Sequence, residues 1–236
     1  MLDNGADFIA CNYAYEPYYS IEDGKILYSQ LKKLSDYLIE TKENRMITML
    51  DWNVGKPFNK QTDNHNWCGG TGNMLAFSPD GNAYPCLRYC PISIGKEKAD
   101  KIKIGDINGI YNTPLTVKIK DYLDSITLTS QSTEECINCP VASGCGWCSA
   151  YNYEVFGTPN KRVTNICNAH KARVLASYRY HNKRFLALHD DRPRIIHIPK
   201  EEALKFISLD EWNELKQDEQ LAKEQCEKYG FGELIE

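Results

Sequence analysis

Hydrophobic positions in the first fifty residues change from strand-like to helix-like spacing and back. Residues 7–15 (DFIACNYAY) alternate and are rich in strand formers, and residues 45–50 (RMITML) form a second candidate strand. Between them, four leucines recur at helical spacing: Leu27, Leu31, Leu34 and Leu38. Ser20 followed by Asp23 is typical of a capping box, so we predict an amphipathic helix over 21–41. Strand, helix and strand indicate a βαβ unit, whose sheet needs cover on both faces, so we expect a partner surface or further sequence there.

The rest of the chain predicts shorter elements. Residues 54–67 are polar and irregular, which favours a linker. Residues 74–77 and 83–86 flank the turn sequence Ser-Pro-Asp-Gly-Asn and predict a β-hairpin, with a further short strand within 101–107. Four more helices are predicted: 112–126, 149–156, 165–183, and 209–229 with Ser208 as N-cap.

Composition and charge narrow the class of protein. Of the 236 residues, 42% are hydrophobic and 25% charged, which is ordinary for a globular protein, and the net charge of −4 argues against nucleic acid or an anionic membrane as main partner. No run of eighteen apolar residues and no secretory signal is present, so we expect a cytoplasmic protein. The ten cysteines are many for a reducing compartment, where clustered cysteines are usually metal ligands or catalytic thiols.

Eight of the ten cysteines fall within one hundred residues. They are Cys68, Cys86, Cys90, Cys136, Cys139, Cys145, Cys148 and Cys167. Residues 136–148 have the spacing C-x2-C-x5-C-x2-C. Paired thiolates two residues apart can point to one centre, and a cubane iron–sulfur cluster takes four thiolates. Eight cysteines therefore match two such clusters.

Two other interpretations of the cysteines stay open. Isolated cysteines are commonly buried core residues, and Cys11 and Cys226 fit that role. Zinc is the stronger alternative for the array, although only five residues separate the two CxxC pairs whereas zinc ribbons use about 15–20. Cys167-x2-His170 offers a histidine ligand, but His170 falls on a predicted helix, where a surface or packing role is expected.

The whole array resembles the SPASM domain, the auxiliary-cluster module of radical S-adenosylmethionine (SAM) enzymes such as anaerobic sulfatase maturases and ribosomal-peptide maturases. The family pattern is C-x9–15-G-x4-C, a gap, C-x2-C-x5-C-x3-C, a gap and C. Cys68 is followed by twelve residues, Gly81, four residues and Cys86, and Cys167 serves as the last cysteine. Cys145 and Cys148 are separated by two residues where the family has three.

The resemblance implies two interleaved [4Fe–4S] clusters. Cluster I would take Cys68, Cys86 and Cys148, with Cys90 as the local candidate for its variable fourth ligand. Cluster II would take Cys136, Cys139, Cys145 and Cys167. Neither cluster forms without bringing distant segments together, so the metal would be part of the fold.

The resemblance also implies an α+β fold in which the last βα units of a partial TIM barrel precede the module. The expected parts are a barrel remnant (1–53), a linker (54–67), the SPASM module with its β-hairpin and helices (68–185) and a helical tail (186–236). The radical-generating motif CxxxCxxC is absent, because Cys86-x3-Cys90 is followed by Ser93 where the third cysteine belongs. We therefore expect this chain alone to be inactive, with no catalytic residue, and the SAM half to come from a separate chain or further sequence.

Function follows from the family as an expectation. The clusters of such a module accept an electron from a substrate radical or anchor the substrate, which would be a peptide or protein, and SAM binds only in the complete enzyme. Sulfatase maturases carry an aspartate directly after the second SPASM cysteine, where this chain has Leu87, so formylglycine formation is not expected. A stand-alone iron–sulfur electron-transfer subunit and a zinc-binding interaction module remain the alternatives.

Overall fold

A computed structural model of the chain describes residues 5–52, 54–189 and 192–229. Its strands are β1 (Phe8–Ile9), β2 (Met46–Ile47), β3 (Ala76–Phe77), β4 (Asn82–Tyr84), β5 (Gly105–Asp106) and β6 (Gly109–Ile110). Its α-helices are α1 (Ile21–Glu40), α2 (Thr48–Asp51), α3 (Lys60–Asp63), α4 (Pro91–Ile94), α5 (Lys96–Asp100), α6 (Pro114–Asp124), α7 (Leu128–Gln131), α8 (Glu134–Ile137), α9 (Ser149–Phe156), α10 (Cys167–Leu188), α11 (Lys200–Ala203) and α12 (Leu209–Tyr229). The mixture of helices and small sheets confirms the α+β class.

The chain forms two compact units. The first consists of Met1–Phe58, Asn138–Gly146 and Asn165–Glu236, and the second of Asn59–Ile137 and Trp147–Thr164. The division into four consecutive parts, 1–53, 54–67, 68–185 and 186–236, is an expectation from the family resemblance. The two compact units neither confirm nor contradict it. Parts 1–53 and 186–236 also include positions outside the described residues. No helix within the described ranges combines the length and the apolar character that crossing a membrane requires.

The first unit begins with the predicted βαβ arrangement. β1 and β2 pair in parallel, with Phe8 opposite Met46 and Ile9 opposite Ile47, and α1 connects them. Both strands are shorter than predicted. The second strand ends where Thr48 starts α2, and the Thr48 hydroxyl accepts from the Cys11 N–H at 2.9 Å and donates to the Cys11 carbonyl at 2.8 Å.

Helix α1 confirms the helix predicted over 21–41. Ser20 accepts a hydrogen bond from the Asp23 N–H at 3.1 Å while the Asp23 carboxylate accepts one from the Ser20 N–H at 2.8 Å, which is the expected capping box. The buried stripe of the helix contains Tyr28, Leu31, Ser35 and Leu38. This stripe packs against α10, which places the start of α10 within the core of the unit.

One face of α10 is polar although it is buried. Arg173 donates to the carbonyls of Thr48 and Met49 at 2.7 and 3.1 Å, and Ser177 donates to that of Leu50 at 2.8 Å. His181 Nε2 also lies 3.0 Å from the Leu50 carbonyl. Helix ends leave carbonyl groups without intrahelical partners, and these side chains satisfy those of α2.

The second unit is built on a four-stranded antiparallel sheet in the order β3-β4-β5-β6. β3 and β4 form the predicted hairpin, with Ala76 opposite Tyr84. Gly81 lies in its turn with φ of +80°, a conformation that favours glycine. The predicted strand within 101–107 is β5, and the helices predicted over 112–126 and 149–156 are α6 and α9.

Packing in the first unit predicts the effect of a core substitution. Leu38 is completely buried, whereas Ile26 on the same helix is 56% exposed. We expect Leu38→Ala to lower the free energy of unfolding by about 2–5 kcal/mol, and Ile26→Ala to change it by less than about 1 kcal/mol. Anaerobic urea denaturation followed by circular dichroism measures both. Equal effects of the two substitutions would contradict the packing.

Candidate functional site

Three cysteines of the second unit converge on one space, and we call them the three-thiol site: Cys68, Cys86 and Cys148. Gly70 borders this space, because a methyl group at its α carbon would lie 2.9 Å from Cys86 Sγ and 3.6 Å from Cys68 Sγ. The charges that Cys68 and Cys86 carry as thiolates contribute, after burial, to a raised pKa of Cys148. The three thiols predicted for cluster I are therefore neighbours.

Each thiol of the site stands at the start of a helical turn. Cys68 precedes the 3-10 turn Gly69–Thr71, Cys86 precedes the 3-10 turn Leu87–Tyr89, and Cys148 is the N-cap of α9. The first N–H groups of a helix have no intrahelical acceptor and favour negative charge. The sequence thus places each cysteine where a helical turn begins, and at Cys148 the sulfur itself caps the helix.

One of these donors reaches a sulfur directly, because the Tyr151 N–H donates to Cys148 Sγ at 3.4 Å. At Cys86, the nearby N–H groups of Arg88 and Tyr89 act to lower the thiol pKa, although burial raises it more. The hydroxyl of Ser149, which is completely buried, lies 3.3 Å from Cys68 Sγ. Such donors stabilise thiolates and are typical of the surroundings of iron–sulfur clusters.

In the metal-free protein, burial raises the pKa of Cys86 and of Cys148, whereas the hydrogen-bond donors lower it. Burial is the largest cause of both shifts, and the neighbouring thiolate charges raise both pKa values further. Burial, followed by the charges of the same three thiols, also raises the pKa of Tyr89. Metal binding at this site must therefore release protons from thiols that resist ionisation.

Cys90, the candidate fourth ligand, is almost completely buried beside Cys86. Its thiol points to the Cys86 carbonyl with a sulfur–oxygen distance of 3.9 Å, and Cys90 is the N-cap of α4. Burial, then the charges of Cys86 and Asp80, raise its pKa. The structure brings Cys90 next to one member of the three-thiol site, and its role as a ligand stays a prediction.

In the first unit, the loop 138–146 carries Cys139 and Cys145 beside the start of α10. The carbonyl of Val141, midway along this loop, lies 2.6 Å from Nε2 of His170. His170 stands one turn after Cys167, the first residue of α10. His170 is buried and has the packing role that we expected from its helix, and it fastens the loop next to Cys167.

The backbone of residues 54–56 holds the other side of the loop. Ser143 donates to the Lys56 carbonyl at 2.8 Å and accepts from the Gly55 N–H at 3.0 Å. Gly144 has φ of +71°, and a side chain there would lie 2.3 Å from a Val54 methyl group. Only glycine permits this close approach.

Two buried tyrosines, Tyr13 and Tyr178, lie near the cysteines of this loop. Burial and then the charge of Cys145 raise the pKa of Tyr13, while Arg173 lowers it. Burial also raises the pKa of Tyr178, and the charge of Cys139 is a smaller cause in the same direction. Cys139 and Cys145 are partly buried and pack against the core of the unit.

Cys136 belongs to the second unit, in α8, where its N–H donates to Thr133 Oγ1 at 3.2 Å. Its membership of the cluster II set stays a prediction. Across the described ranges, no three Cys, His, Asp or Glu side chains lie close enough to hold a single metal ion. A zinc ion brings four thiolates to about 3.8 Å from one another, whereas each thiolate of a cubane binds a different iron and the sulfurs lie farther apart.

The two isolated cysteines differ from each other. Cys226 is buried beside Phe185 and Ala222, which confirms its predicted core role. Cys11 is exposed, so the same prediction is wrong for it. The chain leaves the sheet after Ile9, and the Cys11 side chain is therefore not directed into the core by a strand. All ten cysteines lie in the described ranges and carry thiols, not disulfides.

Sequence reasoning did not single out Gly70, Tyr89 or Ser149. Gly70 follows Cys68 within a Gly-Gly pair, and Ser149 directly follows Cys148. For both, the sequence signal was a small residue close to a cysteine that was predicted to be a ligand. Tyr89 lies between Cys86 and Cys90 and had no comparable signal.

Burial and thiolate repulsion predict how the metal-free protein reacts with iodoacetamide. At neutral pH, Cys86 and Cys148 should be alkylated at least about tenfold more slowly than the exposed Cys11. Because their pKa values are raised, their alkylation should accelerate most at alkaline pH. Mass spectrometry of digests measures each site, and alkylation of Cys86 as fast as that of Cys11 would contradict the burial.

No protein-family model, no curated protein and no solved structure matches the chain. The chemistry of the site therefore rests on its own side chains. These are three neighbouring thiols in the second unit and, in the first unit, the loop of Cys139 and Cys145 beside Cys167.

Proposed function

We propose that the chain is the auxiliary [4Fe–4S] cluster-binding part of a radical SAM enzyme that modifies a peptide or protein. The observation that carries the proposal is the three-thiol site. Its cysteines come from three separate segments, yet their sulfurs share one largely buried space provided with N–H and hydroxyl donors. Buried core cysteines do not need such donors, whereas thiolate ligands do.

The thiols of the three-thiol site are the kind of ligand that the implied cluster needs. Cys68, Cys86 and Cys148 would hold cluster I, with Cys90 as the proposed fourth ligand. Cys136, Cys139, Cys145 and Cys167 would hold cluster II. Such clusters accept or donate single electrons and, where one iron lacks a protein ligand, can anchor a substrate. The chain's own part is to exclude water around the sulfurs and to compensate their charge.

The βαβ part of the first unit supports the proposal that a partner covers it. Phe8 and Met46 lie opposite each other on one face of the β1–β2 pair, and they are 52% and 45% exposed. Parallel sheets are usually covered on both faces. We propose that the SAM-binding half of the enzyme, in another chain or in further sequence, covers this face.

Anaerobic reconstitution with iron and sulfide tests the proposal. We expect a brown protein with absorbance near about 400 nm and about eight irons per chain. Cys148→Ala and Cys139→Ala should each lose about half of this iron, because each removes a ligand of a different cluster. The matched control is Cys11→Ala, which should keep all of it.

Two results contradict the proposal. One is a colourless protein that folds with one or two zinc ions and takes up no iron. The other is iron binding that Cys148→Ala and Cys139→Ala leave unchanged.

A second prediction concerns SAM itself. The sequence lacks CxxxCxxC, the motif whose three closely spaced thiolates hold a cluster with one iron left to bind SAM. The reconstituted chain should therefore leave SAM intact in the presence of a strong reductant. Chromatography of the reaction mixture measures SAM. If the wild-type chain cleaves SAM and Cys148→Ala does not, the proposal that the SAM site lies in another chain or in further sequence is wrong.

A further inference from the structure

The hydroxyl of Tyr89 occupies an unusual position in the second unit. Tyr89 is completely buried, and the thiols of Cys68, Cys86 and Cys148 all act on its hydroxyl electrostatically. It lies in the 3-10 turn that begins after Cys86, and its ring packs 6.1 Å from that of Tyr153. Packing accounts for the burial of the ring but not for the presence of the hydroxyl.

Within the described residues, the Tyr89 hydroxyl has no hydrogen-bond partner. The neighbouring Ser149 hydroxyl lies 3.3 Å from Cys68 Sγ, and it acts to lower the pKa of Tyr89 without meeting the geometry of a hydrogen bond to the Tyr89 hydroxyl. A buried hydroxyl without a partner is costly, so native proteins rarely keep one unless it meets a ligand or an ion. Phenylalanine would have filled the same space at no such cost.

We propose that Tyr89 donates a hydrogen bond to a sulfur of the cluster held by Cys68, Cys86 and Cys148, and that this bond raises the reduction potential of that cluster. The inference rests on the proposed function, since it needs a cluster at the three-thiol site. Reduction adds one electron to the cluster and no bond to Tyr89 breaks. A donated hydrogen bond withdraws electron density from sulfur and stabilises the more negative, reduced state. Tyr89 is thus a positioning and tuning residue and touches no substrate.

Tyr89→Phe tests the inference in the reconstituted full chain. The variant keeps the ring and removes only the hydroxyl, so the iron content should stay at the wild-type value. At a fixed potential, the ratio of reduced to oxidised cluster I should fall by about tenfold, which is a shift of 59 mV for a one-electron couple. Spectroelectrochemistry should show one couple shifted to lower potential and the other unchanged.

Tyr28→Phe is the matched control. Tyr28 is also buried, but it lies in the first unit, and the charged groups that act on its hydroxyl are Glu211, Arg179, Glu214 and Asp36, with no cysteine among them. We expect this variant to keep both couples at their wild-type potentials. A second readout is an exchangeable proton magnetically coupled to the reduced cluster, which deuterium oxide should remove in wild type and which Tyr89→Phe should lack.

The outcomes separate the two proposals. If wild-type protein takes up no iron, the proposed function fails. If it takes up the expected iron and Tyr89→Phe moves neither couple, only the inference about Tyr89 is wrong. Should Tyr89→Phe lose iron, 3-fluorotyrosine at position 89 replaces it: a stronger donor of nearly equal size must raise the potential, and an unchanged potential overturns the inference.

Discussion

Gathering thiolates in a buried space is the physical constraint on which the site depends. Each thiolate loses hydration on burial and repels the others, as the raised pKa values of Cys86 and Cys148 show. The chain reduces this cost locally with donors beside the sulfurs, such as the Tyr151 N–H at Cys148 and the Ser149 hydroxyl at Cys68. In the function proposed above, a positively charged metal group would compensate the remaining cost, which would make metal binding and folding interdependent.

In the first unit, helix α10 holds the loop that carries Cys139 and Cys145 in place. His170, Arg173, Ser177 and His181 lie on one face of this helix and hydrogen-bond backbone carbonyls of the cysteine loop and of α2. Each such bond contributes only about 0.5–1.5 kcal/mol net, but losing one buried partner costs about 1–3 kcal/mol. The face therefore fixes the loop of Cys139 and Cys145 beside Cys167 more by the penalty for moving it than by attraction.

Buried tyrosines occur at both cysteine groups. The charges of the three-thiol site act on Tyr89 and that of Cys145 acts on Tyr13, and neither hydroxyl meets the geometry of a hydrogen bond among the described residues. Each unit thus has a buried tyrosine donor available near its cysteines. An environment of this kind sets the potential of a metal group without contributing a ligand.

The sequence by itself determined the elements that short-range chemistry controls. The capping box of Ser20 and Asp23, the hairpin turn at Gly81 and the leucine periodicity of α1 were readable because caps, turns and hydrophobic spacing act within a few residues. It also determined that eight cysteines form an array. Only the tertiary structure decided the rest: residues 48–51 became a helix because distant side chains satisfy its carbonyls, and Cys11 became exposed because β1 ends at Ile9. Which thiols meet, and that Tyr89 stands among them, depends on contacts between segments far apart in the chain, and local sequence patterns do not encode such contacts.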